Sequence, residues 1–170
     1  MISFFKYLLN IVLTFFLSQF LSYTAFASHL SFSCNFEEAH TNGTINQGLV
    51  LFDHDNLRYE YFNDELFIIF INKKGTFIHN KKNNTSKPIK NKIVTIDHLM
   101  EIAKNYPNIP KKIETEHIEI TIEKSVKNNF IKRISIDSNN AKLSLYFNNC
   151  DLTKPINDLF FREDKIFNFL

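Results

Sequence analysis

The stretch Gly48-Leu49-Val50-Leu51-Phe52-Asp53-His54-Asp55-Asn56-Leu57-Arg58-Tyr59-Glu60-Tyr61 decides the fold class. Its middle, Asp53 to Asn56, is four polar residues of the kind that reverse a chain, and an apolar run lies on each side. After the turn, Leu57, Tyr59 and Tyr61 share one face of an extended chain while Arg58 and Glu60 share the other, because successive strand side chains point to opposite sides. The reading is an antiparallel hairpin with Leu57, Tyr59 and Tyr61 in a core and Arg58 and Glu60 in solvent. Upstream, Phe32, Cys34 and Phe36 alternate with Ser31, Ser33 and Asn35, and Thr41-Asn42-Gly43 turns that strand into the run from Thr44 to Phe52. Downstream, Leu66 to Ile71 is continuously apolar, which predicts cover on both faces, and Asn72-Lys73-Lys74-Gly75 turns the chain into Thr76-Phe77-Ile78.

The pattern then changes. Lys81 to Lys92 is polar and basic and reads as an exposed loop or ragged edge, where lysines block strand-to-strand aggregation. One helix follows: Thr95 is placed as its cap, Asp97 suits its positive end, and Ile96, Leu99, Met100 and Ala103 recur at helical spacing. Pro107 and Pro110 stop it. Three more strands are expected: Ile118, Ile120 and Ile122 alternating with Glu119, Thr121 and Glu123; then Phe130 to Ile136; then Leu143, Leu145 and Phe147 alternating with Ser144 and Tyr146. Asn139-Asn140 supplies a tight turn between the last two. Seven to nine strands with one helix cannot cover both sheet faces with helices, so the sheet must curl or stack.

The length of 170 residues fits one domain, and 20 Lys and Arg against 18 Asp and Glu leave too little positive excess to favour a polyanion, so no nucleic-acid partner is expected. Residues 1–27 differ from the rest: Lys6 is their only charge, two apolar clusters follow it, and Ala25-Phe26-Ala27 matches a small-x-small cleavage site. They read as a signal peptide, with residues 28–170 as a single exported domain; the alternative is that the segment, nearly long enough to span a bilayer, is retained as an anchor. Six of the 19 Phe lie in this leader, and the remainder still suffice for an aromatic-lined interior. In an oxidising compartment Cys34 and Cys150 are either bridged or two buried thiols, and both readings stay open. His29, His40, His54, His79, His98 and His117 show no zinc-protease spacing, and no phosphate loop or serine elbow is present. The carboxylate pairs Glu37-Glu38 and Glu114 with Glu116 are not arranged by sequence alone into an acid and a base. The expectation is a protein without enzymatic activity, metal or cofactor.

Leu57-Arg58-Tyr59-Glu60-Tyr61, a short turn after Gly48-Leu49-Val50-Leu51-Phe52 and ahead of an apolar strand and Asn72-Lys73-Lys74-Gly75, resembles the periplasmic outer-membrane lipoprotein carrier family, LolA. The resemblance begins at Ser31-Phe32-Ser33-Cys34-Asn35-Phe36 and ends at Asn157-Asp158-Leu159-Phe160-Phe161, similar to the family's closing turn before a Phe-rich strand. It implies an incomplete antiparallel β-barrel with one or two helices as a lid over an apolar cavity. It also implies a periplasmic location, acylated lipoproteins as cargo, an inner-membrane ABC transporter of the Lol type as donor and an outer-membrane receptor as acceptor. The cavity residues expected on this basis are Val50, Phe52, Leu57, Tyr59 and Tyr61 on the sheet and Ile96, Leu99 and Met100 on the lid. Three features depart from the family: only Ser28-His29-Leu30 separate the leader from the first strand, which thins the lid; Asp53-His54 or their neighbours stand where the family carries Arg-Pro, so no lid-latching residue is carried over; and the C-terminal stretch ending in Lys165-Ile166-Phe167-Asn168-Phe169-Leu170 is short. The alternative is an exported, non-enzymatic β-sheet interaction module with a filled core.

Overall fold

Alternation builds the first strand as expected. In the computed structural model, which describes residues 30–90, 93–127, 130–138 and 141–166, strand β1 (Ser31–His40) buries Phe32, Cys34, Phe36 and Glu38, every second residue. The turn at Thr41-Asn42-Gly43, with Gly43 at a φ of 84°, returns the chain into β2 (Ile45–Asp53). Strands β3 (Asn56–Tyr61), β4 (Phe67–Asn72), β5 (Gly75–Asn80) and β6 (Thr85–Ile89) follow as successive antiparallel neighbours. Helix α1 (Val94–Lys104) interrupts the series, and β7 (Lys112–Glu114), β8 (Ile118–Lys124), β9 (Ile131–Ser138) and β10 (Ala141–Asp151) complete it. The strand order is β6-β5-β4-β3-β2-β1-β10-β9-β8-β7, so the first and last strands meet in the middle and β6 and β7 are the two edges. The fold is mainly β, one antiparallel sheet that does not close.

Sheet width forces the curl. Ten strands at about 4.8 Å spacing would make a flat sheet more than ~40 Å wide, whereas a helix with its side chains is about 10–12 Å across. A single buried cluster nevertheless runs from Ile69 on β4, through Ile96, Leu99 and Ala103 on α1, to Ile120 and Ile122 on β8. The sheet therefore wraps around the helix, which occupies its inner face.

Four expectations are corrected. Thr95 does not cap α1; the helix begins at Val94, the cap position is Ile93, and no side chain bonds the free amides there. The sheet has ten strands rather than seven to nine; one of them, β6, lies in the polar Lys81–Lys92 segment, which is the exposed edge expected there, with Lys87 and Pro88 suited to a sheet margin. Asp158–Phe161 forms a 3-10 turn rather than a strand, with Asn157 Oδ1 accepting from the Leu159 amide at 2.9 Å. Arg58 is not in solvent: it is 1% exposed, because residues 152–166 fold back over the outer face of β2 to β5 and bury Ile156 and Phe161 against Leu51. There Arg58 lies 5.6 Å from the Phe70 ring centre, donates to Glu60 and reaches the Phe160 carbonyl at 3.4 Å. Glu60 is only half-buried. The expected leader and its cleavage point, and the turn at Asn139-Asn140, lie outside the described residues.

Candidate functional site

Strand parity places the candidate residues together. In register, Cys34 pairs with Val50 and Phe36 with Gly48 across β1 and β2, while Val50 pairs with Tyr59 and Phe52 with Leu57 across β2 and β3. One inner face thus presents Phe32, Phe36, Val50, Phe52, Leu57, Tyr59 and Tyr61. Helical periodicity turns Ile96, Leu99, Met100, Ile102 and Ala103 toward it. All eight residues expected to line a cavity, Val50, Phe52, Leu57, Tyr59, Tyr61, Ile96, Leu99 and Met100, belong to one buried cluster, and none is more than 8% exposed. They meet as packed side chains: Phe32 stacks on Phe52 at 5.4 Å between ring centres and Phe36 on Tyr59 at 4.1 Å.

Two attachments frame this interior. Cys34 and Cys150 are joined by a disulfide between β1 and β10, at a break in register where Ser33 faces Asp151 but Asn35 faces Asn148. The one extra residue of β10 is accommodated with Asn149 at a φ of 50°, a conformation asparagine tolerates better than most residues. At the other attachment Lys104, in the last turn of α1, pairs with Asp55 in the β2–β3 turn at 2.7 Å. The Lys104 hydrogen bond and charge hold the Asp55 carboxyl below its usual range. Among the described residues, α1 exchanges no backbone hydrogen bond with the sheet.

Beyond Phe36 the inner face ends in a polar group that the pattern reading did not place. Glu38 is 6% exposed. Its Oε2 accepts from the Tyr59 hydroxyl at 2.8 Å and the Tyr61 hydroxyl at 3.0 Å, and its Oε1 lies 2.6 Å from His40 Nε2. Burial, then the Glu38 charge, push both tyrosine hydroxyls above their ordinary range, so both remain protonated donors. A carboxylate can be kept in such a site only if its lone pairs are satisfied. The parity of Phe32, Cys34 and Phe36 extends to Glu38, and that extension is the signal by which a carboxylate could have been assigned to the interior. Glu37, its neighbour, faces outward and accepts from Gln47 at 3.0 Å.

Replacing Tyr59 with Phe should therefore cost about 1.5–3 kcal/mol, the range for a hydrogen bond to a charged group, rather than nothing. A urea midpoint shifted down in Tyr59→Phe, with β-rich circular dichroism retained, is the expected result; an unchanged midpoint would mean that water satisfies Glu38 instead.

Two clefts lie away from the eight apolar residues, though Asp55 lines one and His40 the other. The larger, about 730 Å³, sits between the β2–β3 and β4–β5 turns and the C-terminal segment, and its walls include His54, Lys73, Asp158 and Arg162. The smaller, about 320 Å³, is lined by Ser135, Ser144 and Tyr146 among others. Among the described residues no group of three or more His, Cys, Asp or Glu is placed to hold a metal ion. No protein-family model matches the chain, and no curated protein matches it.

Proposed function

We propose that this protein is a carrier of acyl chains, resembling the LolA lipoprotein carriers, which takes the lipid part of a lipoprotein from one membrane to another by exchanging it for helix α1 as the cover of its inner face. The observation that supports this is the union of all eight candidate residues in one apolar cluster between an unclosed sheet and a single helix. The helix is held to the sheet by side chains and by the exposed Lys104–Asp55 pair, and not by backbone hydrogen bonds among the described residues. Displacing it leaves an apolar trough. Each methylene moved out of water contributes ~0.8 kcal/mol, so a 16-carbon chain contributes on the order of 10 kcal/mol toward replacing the helix contacts. Acylated lipoproteins are the cargo in this reading, a Lol-type inner-membrane transporter and an outer-membrane receptor are the partners, and the periplasm is the compartment.

The experiment is uptake of a fluorescent acyl probe. Saturable binding is expected for the wild type, and Leu99→Glu, which puts a carboxylate at a fully buried position of the cover, should strengthen it at least tenfold, since a charge without a partner there costs several kcal/mol in the closed form and that cost is relieved when the guest displaces α1. The variant counts if its circular dichroism matches the wild type. Equal probe affinity in both proteins would overturn the assignment of α1 as the cover.

A second reading has its own observation. The stacked Phe36 and Tyr59 rings and the Glu38 bonds to both tyrosines complete the interior without a guest, which favours an exported interaction module with a filled core. Absence of probe uptake, together with no lipid in the mass spectrum of the purified protein, would select it.

A further inference from the structure

Residues 152–166 cover Leu51 and Arg58 on the outer face, and no other described segment covers that face around β10. Strand register lays its side chains out in rows. One row runs Glu123, Arg133, Tyr146, Glu37 and Gln47 across β8, β9, β10, β1 and β2. The next runs Thr121, Ser135, Ser144, Ala39 and Ile45 over the same strands. Tyr146 and Ile45 are 38% and 59% exposed. The middle of the second row holds only small side chains, with the Ser135 and Ser144 hydroxyls 3.2 Å apart. A cleft of about 320 Å³ opens over these two serines, beside Tyr146.

The first row is its own complement. Arg133 stands one strand from Tyr146 on one side, and Glu37 stands one strand from it on the other. The Arg133 guanidinium lies 5.8 Å from the Tyr146 ring centre. A two-fold axis parallel to β10 and just above Tyr146 turns a second copy over, so that what lies one strand to the left meets what lies one strand to the right. Arg133 of each protomer then faces Glu37 of the other, so the pair forms twice. Tyr146 faces Tyr146, and in the second row Ser135 faces Ala39. Small side chains in that row let the two faces approach, and tyrosine and arginine are the residue types that carry most interface energy. Within its own chain Glu37 is matched by the neutral Gln47 at 3.0 Å. Arg133 pairs with Glu123 while its side chain stays 33% exposed, and a guanidinium has donors enough for a second carboxylate.

We propose that the outer face of β9, β10 and β1 is the contact by which two copies of this chain form a transient two-fold dimer centred on Tyr146. The curled sheet is convex on this side, which confines the contact to those three strands. Three strands about 4.8 Å apart, each with three outward side chains, give on the order of 1,000 Å² or less from the two copies together, below the ~1,600 Å² of stable complexes. The dimer is therefore weak, with a Kd on the order of 0.1 mM. The inner face takes no part in it, so the contact stands independently of acyl carriage.

Sedimentation equilibrium at low ionic strength tests this. The average mass of the wild type should rise from one chain toward two as the concentration passes the Kd. Glu37→Arg alone and Arg133→Glu alone each set like charges against one another at both contacts, so each should weaken the dimer by at least about tenfold. An equimolar mixture of the two variants should recover it, because one copy then brings cations to both contacts and the other brings carboxylates. A wild type that stays monomeric, a dimer indifferent to both substitutions, or a mixture as weak as the single variants overturns the proposal. If circular dichroism shows that either variant does not fold, dilution of the wild type followed by amide NMR decides. The shifts must gather at Ser135, Ser144 and Tyr146, and shifts gathered elsewhere refute the two-fold contact.

Discussion

Gly48→Ala should destabilise this protein by about 3 kcal/mol or more, at the upper end of what overpacking a core costs. Gly48 sits in the middle of β2, with Phe36 of β1 on one side and Tyr61 of β3 on the other. A Cβ added there would lie 2.1 Å from the Glu60 carbonyl oxygen and 2.4 Å from the Phe36 ring. Neither can withdraw. The carbonyl belongs to the backbone of the neighbouring strand, and the Phe36 ring is wedged between Gly48 and Tyr59, stacked on the latter and edge-on to Tyr61. The two tyrosines are in turn pinned by Glu38. One methyl group would thus disturb the aromatic stack and the buried carboxylate together.

A control sits on the same chain. Gly43 and Gly75 have open space where a Cβ would stand but positive φ angles of 84° and 133°, so their alanine variants incur only backbone strain, on the order of 1–2 kcal/mol. Denaturant midpoints ranking Gly48→Ala clearly below Gly43→Ala are the expected result. Equal midpoints would show that β2 and β3 slide apart at low cost, and the same looseness would weaken the case for a register that holds Tyr59 and Tyr61 over Glu38.

The alternation of Leu57, Arg58, Tyr59, Glu60 and Tyr61 told which side chains share a face, and on the inner face that was enough, since Leu57, Tyr59 and Tyr61 are all buried. It could not tell what lies over the opposite face. Arg58 is covered by a segment a hundred residues further on, whose Phe160 carbonyl it approaches, and a contact that distant leaves no trace in a period of two. The continuous apolar run of β4 did carry the hint: Ile68 and Phe70 point outward and are as buried as Ile69, which points inward. Cover over Phe70 implies cover over its register partner Arg58. Helix α1 was legible from its spacing, and its start was misplaced because Thr95 resembles a cap while the chain uses Ile93 with no cap at all. Three-residue β7 has too few positions to show a period, and its Lys112 pairs with Glu114 and Glu119. Of the candidate site, the apolar members followed from periodicity, whereas the polar pole depended on a partner set, Tyr59, Tyr61 and His40, that only the register of three strands assembles.

Removing the disulfide, as the double variant Cys34→Ala with Cys150→Ala, should lower stability by about 4–5 kcal/mol in the chain-entropy view, because the bridge closes a long loop in the unfolded chain. The separation is 116 residues, which spans most of the sheet. That figure is a large share of the ~5–15 kcal/mol by which domains are usually stable, so a chain near the lower limit would unfold at ordinary temperature. Position adds to the effect. Strands β1 and β10 are the ends of the sheet in sequence and its centre in space, and all the other strands hang from this pair on either side. The register breaks at the bridge, so the ladder there holds fewer hydrogen bonds of its own, and Cys34 is packed with Phe32 and Phe36 in the core. Loss of the bridge should therefore loosen both halves together rather than one edge. The measurement is a urea titration of the oxidised wild type and the alanine pair, read by far-ultraviolet circular dichroism and by tyrosine fluorescence. Coincident transitions, both displaced to lower urea, are expected. Separate transitions would mean that the β1–β6 and β10–β7 halves fold independently, and an unshifted midpoint would mean that hydrogen bonding and packing along β1 and β10 hold the seam without the bond.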